Sequence, residues 1–329
     1  MALGTDHVTL TQVTAAARTR SNSAFVPELW GDEVIASYKA NLVMPPLAVN
    51  MNHVGKKGDT IHVPRPVRGS PSAKVAETQV TLIANQETST PYIIDQHWEY
   101  SRLIEDIVTI QADPAFRRFY TDDAGYALAK KVDTDVHAKG AGFAGSHASP
   151  TVAGTNYSKA VVGTPSSGLV TWNPSASGDA GNASTLTDEG FRLMLQKLDD
   201  SDVPSQGRVF VIPPVLKKDL LGIQRFTEQA FVGEVGAGNS IRNGYVGNLY
   251  GVEIYVSSNC AAVAATDTTT DQRAALLFQK EALLLIEQLR PRIQTQYKQE
   301  WLADLFTADM IFGTGLLRPE AGIAVIVPA

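Results

Sequence analysis

Between Arg208 and Asn259 the chain reads RVFVIPPVLKKDLLGI, continues through GEVGAGNSIRNGYVG and closes with NLYGVEIYVSSN. This order predicts a buried strand, a short helix opened by prolines, a glycine-rich lobe and a second strand, which commits the region to mixed α and β structure. In the closing strand Tyr250, Val252, Ile254 and Val256 share one face. Gly247 and Gly251 let the backbone turn or approach another chain closely. The pattern is constructional and carries no reactive group.

A chain of 329 residues can bury a large core and is expected to divide into lobes. With 44% hydrophobic and 19% charged residues it falls among folded proteins and outside the disordered class. No apolar run is long enough to cross a bilayer, because Glu281 and Glu287 interrupt even KEALLLIEQLRP. The first residues, MALGTDHVTLTQVTAAARTRSNSAF, lack the basic start and apolar centre of a secretory signal and read as a polar arm over 1–26. The single cysteine, Cys260, excludes an intrachain disulfide and fits a reducing compartment; SSNCAAVAA offers it neither base nor cation, so it reads as structural. A formal charge of −6 argues against a surface built to grip nucleic acid, since phosphate neutralisation needs clustered Lys and Arg, and leaves open only looser association with it.

Along the chain, Val34, Ile35, Tyr38 and Leu42 recur at helical spacing until Pro45 and Pro46 stop them. GDTIHVPRP and TPYIIDQHWEY then predict two long strands, with Tyr92, Ile94, Trp98 and Tyr100 on one face of the second and Asp95, His97 and Glu99 on the other. Such a pair is marginal alone and must lie on something else. After Asp113 and Pro114, the residues Phe116, Tyr120, Ala124, Leu128, Val132 and Val136 fall four apart, predicting one helix over 114–139 that ends at Gly140 and Gly142. Residues 143–187 are rich in Gly, Ser, Thr and Asn, with only LVTW offering a short strand, and read as an exposed insertion. A helix near Asp188–Asp199 buries Phe191, Met194, Leu195 and Leu198. The last third reads as strands: AALLFQK; one long piece PRIQTQYKQEWLADLFTADMIFGTG, packed by Tyr297 and Trp301 and ended by Gly313 and Gly315; and AGIAVIVPA.

Catalytic patterns are missing. The six histidines never take a metal-ligand spacing, so no metal site is predicted. Gly233, Gly236 and Gly238 follow neither phosphate-loop order, and no cofactor is predicted; Ser240 lacks the second flanking glycine of a nucleophile elbow. Asp122 with Asp123, and Asp199 with Asp200, are neighbours that do not face each other on a helix. Lys56, Lys57, Arg65 and Arg68 form the one locally basic stretch, suited to an acidic neighbouring subunit.

In order, the polar arm, the two-stranded extension, the long helix after DPAFRRFY, the RVFVIPP strand, GNLYGVEIYVSSN and LLRPEAGIAVI resemble a tailed-bacteriophage major capsid protein of the Hong Kong 97 type, from about Phe25 onward. That resemblance implies an α+β subunit with an N-terminal arm (1–26), a peripheral domain (27–54 and 101–142) holding the spine helix 114–139, an extended loop (55–100), the insertion (143–187), an axial domain (188–290), a strand returning through the peripheral domain (291–313) and a C-terminal strand (314–329). It implies a non-enzymatic coat protein that self-assembles into pentamers and hexamers of an icosahedral head around double-stranded DNA. Its candidate inter-subunit contacts are Lys56, Lys57, Arg65, Arg68, Tyr92, Trp98, Gly236, Gly238, Gly244 and Gly251. The implied partners are further copies, a portal, a decoration or cement protein and, given the short arm, a separate scaffolding protein. The implied location is the virion shell, assembled in the bacterial cytoplasm, with no membrane association. No acceptor is identified for a lysine–asparagine cross-link from Lys56, Lys57 or Lys74. Two other readings stand beside it: an encapsulin-like compartment shell, and a two-lobed nucleotide-using enzyme with GEVGAGN on phosphate.

Overall fold

The computed structural model describes residues 42–66, 69–80, 82, 87–105, 115–144, 157, 159–174, 182–223, 248–264 and 271–328. The chain divides into two units, 1–39 and 40–329. The arm, the helix around Val34, Arg68, and the glycine lobe with Gly236, Gly238 and Gly244 lie outside the described residues. In chain order the elements are β1 (Val49–Asn52), β2 (Thr60–Pro66), β3 (Glu87–Ile93), β4 (Gln96–Glu105), α1 (Ala115–Ala138), β5 (Val161–Val162), α2 (Asp188–Asp200), β6 (Arg208–Ile212) and α3 (Pro214–Gly222). They continue with β7 (Asn248–Leu249), β8 (Val252–Val256), β9 (Ala262–Ala264), β10 (Asp271–Gln279), β11 (Leu283–Lys298), β12 (Ala303–Leu316) and β13 (Gly322–Pro328).

A seven-stranded sheet of order β5-β13-β10-β6-β8-β7, with β9 added to β10, forms the centre. β10 lies antiparallel between β13 and β6, while β6 runs parallel to β8. All five residues of β6 are buried, as a strand covered on both faces requires, which is why RVFVI shows no polar alternation. Its side chains alternate between two cores. Phe210 and Ile212 join Phe191, Met194 and Leu198 of α2 and Leu216 and Leu220 of α3. Val209 and Val211 join Leu276, Phe278, Trp172 and the α1 residues Leu128 and Val136. Each such burial contributes about 2 to 3 kcal/mol. The start of α2 is fixed by Thr187, whose hydroxyl accepts from the Gly190 N–H at 3.2 Å, and Asp188 and Glu189 favour the same helix end electrostatically.

A second sheet, β1-β11-β12-β4, carries α1 on one face. Phe306, Ala308, Met310 and Phe312 of β12 are buried in one core with Ala124 and Leu128 of α1. Their β4 neighbours reach the same helix: the Lys131 ammonium stands 4.2 Å over the Trp98 ring, and the Tyr100 hydroxyl donates to Asp123 at 2.8 Å. On the opposite face Arg292 clamps Asp309 through two bonds of 2.8 and 3.0 Å, with His97 3.5 Å away. The guanidinium bonds hold the Asp309 carboxyl below its ordinary range.

Buried polar side chains lock α1 to the rest. Asp133 accepts from the Val43 and Met44 N–H groups at 2.9 and 2.8 Å through one oxygen, and from Asn259 Nδ2 at 2.9 Å through the other. One turn on, His137 Nδ1 accepts from the Ala261 N–H at 3.3 Å, and burial lowers this imidazole's pKa to about 4. Cys260, next to it in sequence, is buried and its thiol is pushed up to about 12, first by desolvation, which agrees with an inert role.

Four sequence expectations change. PRIQTQYKQEWLADLFTADMIFGTG is not one strand: it folds back at Gln299–Leu302, where the Trp301 N–H reaches the Lys298 carbonyl and Leu302 takes φ 46°, so that β11 and β12 form a hairpin. Tyr297 and Trp301 are therefore exposed rather than packed. TPYIIDQHWEY breaks at Ile94–Asp95; its first half pairs with β2, and its second enters the sheet under α1. NLYGVEIYV is a hairpin whose two-residue turn, Tyr250–Gly251, has φ of 49° and 83°, so Tyr250 leaves the strand face and its hydroxyl donates to Asp188. The described part of 143–187 is not wholly exposed: Val161 and Val162 extend the central sheet beside β13, and Trp172 is among the largest fully buried side chains.

Candidate assembly surface

The β2–β3 ribbon belongs to neither large sheet. Its inner face carries Ile61, Val63 and Tyr92, which with Ile94 pack on Leu284 and Ile286. The root is tied down by polar contacts as well: the Tyr92 hydroxyl donates to the Leu316 carbonyl at 2.9 Å, Arg65 to the Leu317 carbonyl, and Gln288 Nε2 to the Lys56 and Gly58 carbonyls at 3.2 and 2.8 Å. Room for this docking comes from β12. A Cβ at Gly315 would lie 2.4 Å from the Tyr92 ring, and one at Gly313 would lie 2.9 Å from the Ile93 carbonyl. These glycines do not end a strand; they sit inside it where the ribbon crosses closely.

The residues singled out from sequence thus separate. Tyr92 is taken up within its own chain. Lys56, Lys57 and Arg65 are exposed at the ribbon root, Trp98 is partly covered by Lys131, and Gly251 lies in the β7–β8 turn. Lys74, Val75, Glu77, Val80 and Leu82, beyond the paired part of the ribbon, are exposed, Leu82 to 85%. A second exposed apolar group was not legible as such: Trp301 and Leu302, 65% and 66% exposed at the β11–β12 turn, beside Tyr297 and Leu103. QEWL contains no Gly, Pro, Asn or Asp, so no turn signal marked it. Beneath it lies a shallow cavity of about 420 Å³ lined by Arg102, Leu103, Trp301 and Leu305.

The larger groove, about 940 Å³, runs between the ribbon root, the loop Ser201–Pro204 and the segment Leu317–Ala321. It mixes Arg65 and Arg318 with Asp202, Glu281 and Glu320, and holds no histidine, cysteine or hydroxyl–base pair. Among the described residues no group of His, Cys, Asp and Glu could hold a metal ion, and no helix is long and apolar enough to cross a membrane. What the geometry offers is contact area: a docked ribbon with an exposed continuation, and an apolar hairpin end.

This arrangement, a long helix on a β-hairpin sheet, a two-stranded extension and a central mixed sheet, is the Hong Kong 97-type capsid fold. Residues 103–325 match the family model described as phage capsid protein, and the chain belongs to that structural, non-enzymatic family. Among solved structures it is similar to a chain of Mycobacterium phage Che8, at 24% identity and TM-score 0.66, covering 92% of this chain and 97% of that one. The capsid of Cyanophage P-SCSP1u follows at 18% identity and TM-score 0.67, covering 93% and 94%. The mature capsid of bacteriophage PhiM1 matches at 12% and 0.68, covering 96% and 97%. At these identities the likeness establishes the fold. No curated protein matches the chain.

Proposed function

We propose that copies of this chain assemble as pentamers and hexamers into an icosahedral phage head that encloses double-stranded DNA. The observation that carries this reading is the apolar surface left open within one chain of a capsid-family fold: Trp301 and Leu302 at one hairpin end, Val75, Val80 and Leu82 beyond the ribbon. Side chains of this kind gain cover from another molecule, and many modest contacts repeated around a closed shell stabilise it collectively. Lys56, Lys57, Arg65, Arg68, Trp98 and the glycines Gly236, Gly238, Gly244 and Gly251 are proposed as further inter-subunit contacts. The net charge of −6 supports a lumen that holds DNA by enclosure and not by phosphate neutralisation. On this reading the working partners are further copies, a portal, a scaffolding protein and a decoration protein, and assembly takes place in the host cytoplasm before release as virions.

Electron microscopy of the purified protein, with nucleic-acid and protein analysis of particles from infected cells, tests the proposal. Closed shells filled with DNA are expected. Enzyme cargo in place of DNA would favour a compartment shell, and a permanent monomer would end the reading.

A further inference from the structure

The hydrogen-bond register of the ribbon decides what its outer edges offer to another chain. The Ile94 N–H donates to the Asp59 carbonyl at 2.7 Å, and the pairing Thr60↔Ile93 continues this register into β2 and β3. Antiparallel pairs alternate between those that exchange ladder bonds and those that turn N–H and C=O away from the partner. Ile61–Tyr92, Val63–Thr90 and Arg65–Thr88 therefore bond across the ribbon, whereas Thr60–Ile93, His62–Pro91, Pro64–Ser89 and Pro66–Glu87 direct their backbone groups outward. Pro64, Pro66 and Pro91 all fall in the outward set.

Proline has no N–H to give. A strand added along β2 would meet His62, Pro64 and Pro66 in succession and find one donor where a ladder needs three. Along β3 it would find the ladder interrupted at Pro91, between Ser89 and Ile93. Pro291, by contrast, sits at a register shift of β11 between Leu289 and Arg292, where no regular ladder exists to block. An exposed two-stranded ribbon is otherwise a template for pairing with any extended segment, including the same ribbon of a second copy.

We propose that Pro64, Pro66 and Pro91 close the ribbon to strand addition and so keep subunits from pairing edge to edge before they find their proper neighbours. This goes beyond the shell reading. If that reading holds, it adds that a neighbouring copy grips the ribbon by side chains and not by extending its ladder.

The test uses the full-length chain carrying Pro64→Thr and Pro66→Thr together, which restores two outward donors with residues that suit a strand. Loss of soluble subunit into thioflavin-T-positive, β-rich aggregate is expected, with a smaller loss for Pro91→Thr alone. Adding His62→Lys to the double variant is expected to restore solubility, because a lysine on the edge discourages pairing. A double variant as soluble as the parent would overturn the proposal. So would failure of His62→Lys to rescue it, since the prolines would then act through stiffness. Should the double variant not fold, Pro91→Thr makes the same test on the other edge, and unchanged solubility there counts against the proposal. None of these readouts needs shells to form, so failure of the shell reading would be seen separately.

Discussion

The central sheet and the β2–β3 ribbon are both β structure, yet they manage their surfaces in opposite ways. β6, β10 and β13 are covered on both faces by apolar neighbours. The ribbon has one face on Leu284 and Ile286 and the other exposed, with Ile93 at 59%. The first arrangement covers its apolar side chains within the chain. The second leaves one face uncovered, and the comparison teaches that the strands packed as a core and the strands left open are different parts of one chain; on the proposed reading the open part is the one that joins copies. Substitutions in the first region should act on stability; those in the second should act on association and leave unfolding nearly unchanged.

The largest effect is expected at Asp133. Asp133→Ala would leave the Val43 and Met44 N–H groups and the Asn259 amide without their acceptor, a loss of about 4 kcal/mol that chemical denaturation of the isolated subunit would read. A change confined to shell yield would show that the hub belongs to assembly instead.

Next comes acid. His137 is held neutral with a pKa of about 4, below its ordinary 6.5, so the unfolded chain binds the proton more readily between these values. Its contribution is present in full above about pH 6.5 and is lost as pH falls toward 4, by about 3 kcal/mol. Denaturation midpoints measured across that window should fall for the parent and flatten for His137→Gln; parallel curves would remove His137 as the cause.

A smaller effect, about 2 kcal/mol, is expected for Gly315→Val, which drives a side chain into the Tyr92 ring. Hydrogen exchange should rise in β2 and β3 while β6 and β10 stay protected; uniform exposure would mean that the ribbon and the core are one cooperative unit. The smallest change in stability, within about 0.5 kcal/mol, is expected for Trp301→Ser, because the ring is 65% exposed. Its effect should appear in shell yield by sedimentation, and normal shells would remove the hairpin end from the assembly surface.

The elements that could be read from sequence are those whose evidence is local. The helix Ala115–Ala138 was visible in its four-residue apolar spacing, and β6 with α3 in an apolar run followed by two prolines. The turns at Tyr250–Gly251 and Gln299–Leu302 were not, because each places a large non-glycine residue at positive φ, a conformation that neighbouring structure has to enforce. Gly313 and Gly315 looked like strand ends, since a glycine required by a ring arriving from residue 92 has the same letter as one required by a turn. Nothing local marks Asp133; its role depends on Val43, Met44 and Asn259, which are far from it in the chain.

The sequence by itself determined the long helix and the most apolar strands, that no catalytic pattern is written in the chain, and, through its resemblance, the family. Only the tertiary structure decided which strands are neighbours, where the long hairpin turns and which aromatic residues are left outside. Periodicity is set by each residue's own backbone and recurs every few positions, whereas pairing and exposure are set by partners as distant as Tyr92 and Leu316, whose meeting no local pattern records.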